Sequence, residues 1–127
     1  MNKFLGIIPT PPPLRAQSLV YDLKARLDWG GPALTIIDAR ERSEFNFRHI
    51  LGAIPMPLNE LVDRALSSLE ITRDIYVYGE TDEETAEAAA KLRAAGYLYV
   101  SELRGGVAAW KAVDYPVESI LQVVKAD

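Results

Sequence analysis

The chain contains no cysteine. That absence excludes disulfide cross-links, thiolate metal sites and every reaction that passes through a thiol nucleophile. It also lacks a long apolar run: nothing approaches the ~20 residues that a membrane span requires. The apolar stretch Phe4-Leu5-Gly6-Ile7-Ile8 behind Met1-Asn2-Lys3 is too short for a secretory signal. A cytoplasmic protein is therefore expected. A positive balance is missing too. The net charge is −4, with 8 basic and 7 acidic side chains in residues 1–64 but 6 basic and 11 acidic in 65–127. Nucleic acid, which demands a positive face to displace counterions, is excluded as a partner. A basic protein or a metal cation remains compatible, and a free anionic substrate is disfavoured. There is no internal repeat, and the only low-complexity segment is Pro11–Pro13.

What remains is an ordinary globular composition, 49% hydrophobic and 25% charged in 127 residues. That suits one domain burying roughly two-thirds of its unfolded surface. Residues 1–15 read as a proline-rich arm and 16–127 as the domain, since proline removes backbone donors and stiffens the chain. Leu19, Val20, Leu23 and Leu27 predict a helix over 17–27, stopped by Trp29-Gly30-Gly31-Pro32. Leu58, Leu61, Val62, Ala65, Leu66 and Leu69 predict another over 58–69. Alanine-rich 83–95 predicts a third, closed by Gly96, and 107–112 a short fourth carrying Trp110. The apolar runs 33–37, 75–78 and 98–100 read as strands buried on both faces. Such alternation implies a parallel sheet covered by helices, with ligands gathering beyond the carboxyl ends of its strands. Two loops lie there: Asp38-Ala39-Arg40-Glu41 and Gly79-Glu80-Thr81-Asp82-Glu83-Glu84.

Three segments carry a family likeness. The first is Ile36-Ile37-Asp38-Ala39-Arg40-Glu41-Arg42-Ser43-Glu44-Phe45. The second is His49-Ile50-Leu51-Gly52-Ala53-Ile54-Pro55. The third is Leu103-Arg104-Gly105-Gly106-Val107-Ala108-Ala109-Trp110, with Pro116 beyond it. In order and spacing they resemble the signatures of rhodanese-like domains across roughly residues 18–117. The resemblance implies an α/β three-layer sandwich, a parallel sheet of about five strands with helices on both faces. It also implies an active-site loop that opens with a persulfide-forming cysteine. Counting back from Gly96-Tyr97 puts that position at Gly79. Where family members commonly carry a glycine and an Arg-Ser pair, this chain has Asp82, Glu84 and Thr85. Sulfurtransferase, phosphatase and arsenate reductase chemistry of this fold all attack through the missing cysteine, so none is expected by the usual route.

The loop's charge agrees. A helix N-terminus is a ready anion site, yet Glu80, Asp82, Glu83, Glu84 and Glu87 crowd this one. Thr81-Asp82-Glu83-Glu84 reads as a capping box, with the Thr81 hydroxyl on the Glu84 amide and the Glu84 carboxylate returning to Thr81. Three readings of the cluster stay open: capping on a solvated face, a dock for a basic protein partner, or a site for a hard cation, although no EF-hand spacing is present. No cofactor and no dedicated metal ligand set is expected. Asp38 and Arg40 suit an ion pair at the strand end, with oxyanion binding by Arg40 as the sharper alternative. Candidate binding residues are thus Asp38, Arg40, Glu80, Thr81, Asp82, Glu83, Glu84 and Thr85. His49, the only histidine, is expected to hold a turn, and Gly105-Gly106 to allow a tight turn against the loop rather than to cradle phosphate. The expected function is a catalytically inactive binding or regulatory module. The alternative is an enzyme of another type using 80–84 as a general base or metal site.

Overall fold

The computed structural model describes residues 14–30 and 33–120. Most of the proline-rich arm and the residues from 121 onward lie outside it. Strands β1 (Gln17–Ser18), β2 (Leu34–Asp38), β4 (Ile54–Pro55), β5 (Asp74–Tyr78) and β6 (Tyr99–Leu103) form one sheet in the order β1-β6-β5-β2-β4. Every pairing in it is parallel. A small antiparallel pair, β3 (His49–Ile50) with β7 (Val117–Glu118), stands apart. The helices are α1 (Val20–Trp29), α2 (Arg42–Phe47), α3 (Leu61–Ser68), α4 (Asp82–Ala94) and α5 (Gly106–Ala112).

Because successive strand residues point to opposite faces, each central strand feeds two cores. Ile37, Ile75, Val77 and Val100 pack with Leu61 and Ala65 of α3 and with Ala88, Ala89 and Leu92 of α4. Ile36, Tyr76, Tyr78 and Leu103 pack with Val20 and Leu23 of α1, Phe45 of α2 and Trp110 of α5. The result is the expected three-layer α/β sandwich. Small side chains on the inner face of α4 let it lie close on the sheet.

Several boundaries differ from the sequence expectation, each for a local reason. The helix expected from residue 17 starts at Val20, because Gln17 and Ser18 pair with Glu102 and Leu103 as an edge strand. Leu19 is its N-cap and is exposed; its amide donates to Asp22 Oδ2 at 2.8 Å. Gly30 ends the helix with φ +67°, a left-handed conformation that favours glycine. Leu58–Glu60 form a turn, and α3 starts only at Leu61, leaving Leu66 exposed. The last long strand runs from Tyr99 to Leu103 rather than 98–100, since its polar residues Ser101 and Glu102 are buried as well.

Tyr78 ties the sheet to the β3 segment. Its hydroxyl accepts from the Ile50 amide at 3.1 Å, at full burial. Burial, with the nearby Asp38 carboxylate, pushes its phenol far above the usual range, so it stays neutral. Tyr78→Phe strands the buried Ile50 amide and is expected to cost about 1–3 kcal/mol in urea unfolding. A loss below about 0.3 kcal/mol would mean that this amide finds another acceptor.

Candidate functional site

The two loops singled out in sequence meet at the carboxyl ends of β2 and β5. Asp38 pairs in register with Tyr78, and the Ala39 amide donates to the Tyr78 carbonyl at 2.9 Å. The chain turns back at Arg40, whose own amide donates to Asp38 Oδ1 at 2.9 Å. Its side chain follows: Nε lies 3.1 and 3.2 Å from the two Asp38 oxygens and Nη2 is 2.8 Å from Oδ2. Nη2 also donates to the carbonyls of Glu44 and Arg48. Nη1 lies 3.5 Å from Glu80 Oε2 and 4.0 Å from Glu44 Oε2. Asp38 is 0% and Arg40 5% exposed. Burial works against the guanidinium charge, but the hydrogen bonds and field of Asp38 outweigh it and raise the Arg40 pKa. The guanidinium that suits an oxyanion is thus wrapped in the protein's own oxygens.

Gly79 follows β5 directly. Its amide donates to Thr85 Oγ1 at 2.8 Å, and that hydroxyl donates to the Thr81 carbonyl at 2.9 Å. Thr81 caps α4 by accepting the Glu84 amide at 3.1 Å. Only this first half of the predicted capping box forms; among the described residues no bond returns from the Glu84 carboxylate to the Thr81 amide. Glu84 instead lies over Gly79. A Cβ placed on residue 79 would sit 3.0 Å from Glu84 Cβ, 3.0 Å from its Cγ and 3.1 Å from its carbonyl carbon. Gly79 has no positive φ, so space, rather than backbone conformation, is what glycine supplies here.

Asp82 turns the other way. Its Oδ1 accepts the Gly105 amide at 2.9 Å and its Oδ2 pairs with Arg104 at 3.2 Å, which clamps α4 to the β6–α5 turn. Gly105 and Gly106 take φ of +79° and +52°, and a Cβ on Gly106 would lie 3.3 Å from the Gly79 carbonyl oxygen. That tight turn against the loop was expected; Arg104 as the partner of Asp82 was not, although it stands in the quoted third segment. Glu83 is exposed on the first turn. His49 sits apart from the loop, donating from Nδ1 to the Phe45 carbonyl at 2.7 Å, with Nε2 3.2 Å from Glu118 and its ring stacked on Phe45.

The structure therefore divides the predicted residues into three groups. Asp38, Arg40 and Glu80 meet around the buried cation. Gly79, Thr81, Glu84 and Thr85 close on one another, and Asp82 reaches the neighbouring turn. Among the described residues no group of three or more His, Asp or Glu is arranged to hold a metal ion. A cavity of about 240 Å³ lies instead at the far end of the sheet, beside Leu27, Leu34 and Leu51. Removing one member of the buried pair is the sharpest perturbation. Asp38→Ala leaves a buried guanidinium without its main counter-charge and is expected to cost about 3–5 kcal/mol in denaturant unfolding. A cost near 1 kcal/mol would mean that Glu80 and Glu44 suffice to hold Arg40.

Comparison with known proteins agrees with this frame. The rhodanese-like domain family model matches residues 19–113. A crystal structure of an Anabaena sp. protein is 57% identical, covers 83% of this chain and 94% of its own, and superposes with a TM-score of 0.80. An uncharacterized protein of Bacillus subtilis is 35% identical over 75 residues, 59% of each chain. A probable adenylyltransferase/sulfurtransferase of Mycobacterium tuberculosis is 29% identical over 86% of this chain but only 29% of its own length. The chain thus spans less than two thirds of these curated relatives, and among its described residues no helix is long and apolar enough to cross a membrane. With the family model covering most of its length and the strand-end loops in place, the chain belongs to the rhodanese-like domain family, as a member with no cysteine.

Proposed function

We propose that this rhodanese-like domain is a catalytically inactive binding or regulatory module of the cytoplasm, which engages a basic protein partner through the acidic loop 80–84 at the start of α4. One observation carries the reading: the position where the resemblance places a persulfide is Gly79, which holds no nucleophile, and a Cβ there would lie 3.0 Å from Glu84 Cβ and Cγ, so that Glu84 would have to give by a few tenths of an ångström to admit a side chain. Sulfur transfer by this family's route needs a thiolate to attack the donor. The surroundings point the same way. The Gly79 amide is occupied by Thr85, the Glu84 amide by Thr81 and the Gly105 amide by Asp82, so internal oxygens take groups that could face an anion. The Arg40 guanidinium is likewise surrounded by Asp38, Glu80 and Glu44. Sulfurtransferase activity, named for the mycobacterial relative, is not carried over to this chain.

Glu80 and Glu83 are exposed and Glu84 half-buried on one rim. Clustered carboxylates of this kind steer cationic surfaces and set on-rate more than affinity.

Purified protein is expected to give no thiosulfate–cyanide turnover above background. Gly79→Cys alone is expected to stay there, since its side chain meets Glu84. Turnover by the native chain that survives removal of contaminants would overturn the reading. The docking part has its own measurement: Glu80→Gln, Glu83→Gln and Glu84→Gln together, with Asp82 kept to hold the fold, should slow association with a partner that the native domain captures and flatten its salt dependence. Unchanged association would remove the acidic rim from the account.

A further inference from the structure

The chain's only histidine fastens the strap that follows α5. β7 pairs with β3 so that Glu118 stands opposite His49 and Val117 opposite Ile50. Beyond that ladder the Ser119 hydroxyl donates to the Phe47 carbonyl at 2.7 Å, and the Ile120 amide donates to the Asn46 carbonyl at 2.8 Å. Before it the Leu51 amide donates to the Pro116 carbonyl at 3.1 Å. The strap therefore joins the end of α2 to the turn after β3. A two-stranded ladder of two residues is marginal on its own, so the side chains that join its strands matter.

His49 is 3% exposed, and its ring stacks on Phe45 with 3.7 Å between centroids. Nδ1 lies 2.7 Å from the Phe45 carbonyl oxygen and Nε2 3.2 Å from Glu118 Oε1. A carbonyl oxygen only accepts, so Nδ1 carries a hydrogen. In a neutral imidazole Nε2 is then itself an acceptor. It would face another, because Glu118 Oε1 already accepts the Gly52 amide at 3.3 Å. Both contacts are satisfied by the imidazolium, which donates from both nitrogens. Histidine is the side chain whose charge ordinarily changes between about pH 5 and 8. The charges on neighbouring elements are placed otherwise. On α2, Glu44 faces Arg40, Arg48 lies over the Phe47 ring, and Arg42 is exposed beside the N-cap Glu41. On α5, Lys111 is exposed, as is Asp114 beyond it. Tyr78 of β5 is neutral and holds the Ile50 amide. Among the described residues, Glu118 is the one carboxylate paired with the imidazole.

We propose that His49 and Glu118 form a proton-dependent latch on β7, fastened while the imidazole holds a proton on each nitrogen and loosened when Nε2 loses its own. The direction follows from the donors. The latch is shut at the acidic end of the histidine range and loosens as the pH rises through it. The strap covers the Asn46 and Phe47 carbonyls, and the next carbonyl, that of Arg48, anchors the Arg40 side chain. The latch thus sits beside the frame of the strand-end loops. It stands whether or not the acidic rim docks a partner.

Amide exchange of Leu51 and Ile120 reads the strap, because their hydrogens bond Pro116 and Asn46 across it. Protection factors, from which the intrinsic pH dependence of exchange is removed, are measured in the full-length chain and in Glu118→Gln at about pH 5.5 and about pH 8. Native protection is expected to be about two- to five-fold higher at the lower pH, the size of effect for an ion pair with one exposed partner. In Glu118→Gln the ratio is expected to fall to about one, since the glutamine amide can accept from Nε2 or donate to it. Native protection that is the same at both pH values overturns the proposal. So does an equal pH dependence in the two chains, which would place the controlling proton elsewhere.

Discussion

A guanidinium buried to 5% exposure organises the carboxyl end of this sheet. Arg40 cannot lose its charge, and a charge removed from water must be met by hydrogen bonds and a counter-ion. Asp38 at the end of β2 supplies the counter-ion and three of the contacts. The carbonyls of Glu44 and Arg48 supply the rest, which fixes where α2 ends and β3 begins. Tyr78 offers its ring 5.6 Å away and holds Ile50 through its hydroxyl. Glu80 closes the remaining side, and in doing so draws the loop after β5 toward the loop after β2.

The second loop completes the closure. Thr85 bridges Gly79 and Thr81, the first turn of α4 settles on the strand end, and Glu84 comes to rest on a residue that has no side chain. Asp82 then fastens the same turn to Arg104 and Gly105. A helix N-terminus is a ready anion site, and here the Glu84 amide of the first turn of α4 is met by the hydroxyl of the chain's own Thr81. The closure is collective: Gly79 and Thr85 bond one another, Asp82 bonds Gly105 and Arg104, and Glu84 packs on Gly79.

Much of this was legible in the chain. Central strands written as unbroken apolar runs, an alanine-rich helix and three ordered signatures were enough for the sheet and its two helical layers. Thr81 as a cap and Asp38 with Arg40 as a pair also followed from residue type and spacing. The edges did not. Gln17–Ser18 reads as the start of a helix because an edge strand of two residues has no periodicity to announce it, and pairing with Glu102 decided the matter. α2 is six residues long, too short for a helical pattern. The choice of Asp82 for Arg104, 22 positions away, and the packing of Glu84 on Gly79 depend on how α4 is laid on the sheet. No local signal carries that information.

The most direct test is a stability cycle on the contact between Gly79 and Glu84. Gly79→Ala is made in the native chain and in Glu84→Gly, and unfolding is followed in urea. The cost of a glycine in the first turn of α4 and the gain from a stiffer unfolded chain cancel in the cycle. Only the contact between the two positions is left. The account predicts that Gly79→Ala is worse in the native chain than in the Glu84→Gly background by about 0.5–2 kcal/mol. Equal effects in both backgrounds would mean that the Glu84 side chain does not occupy the space at residue 79, which contradicts the closure of the loop by that side chain.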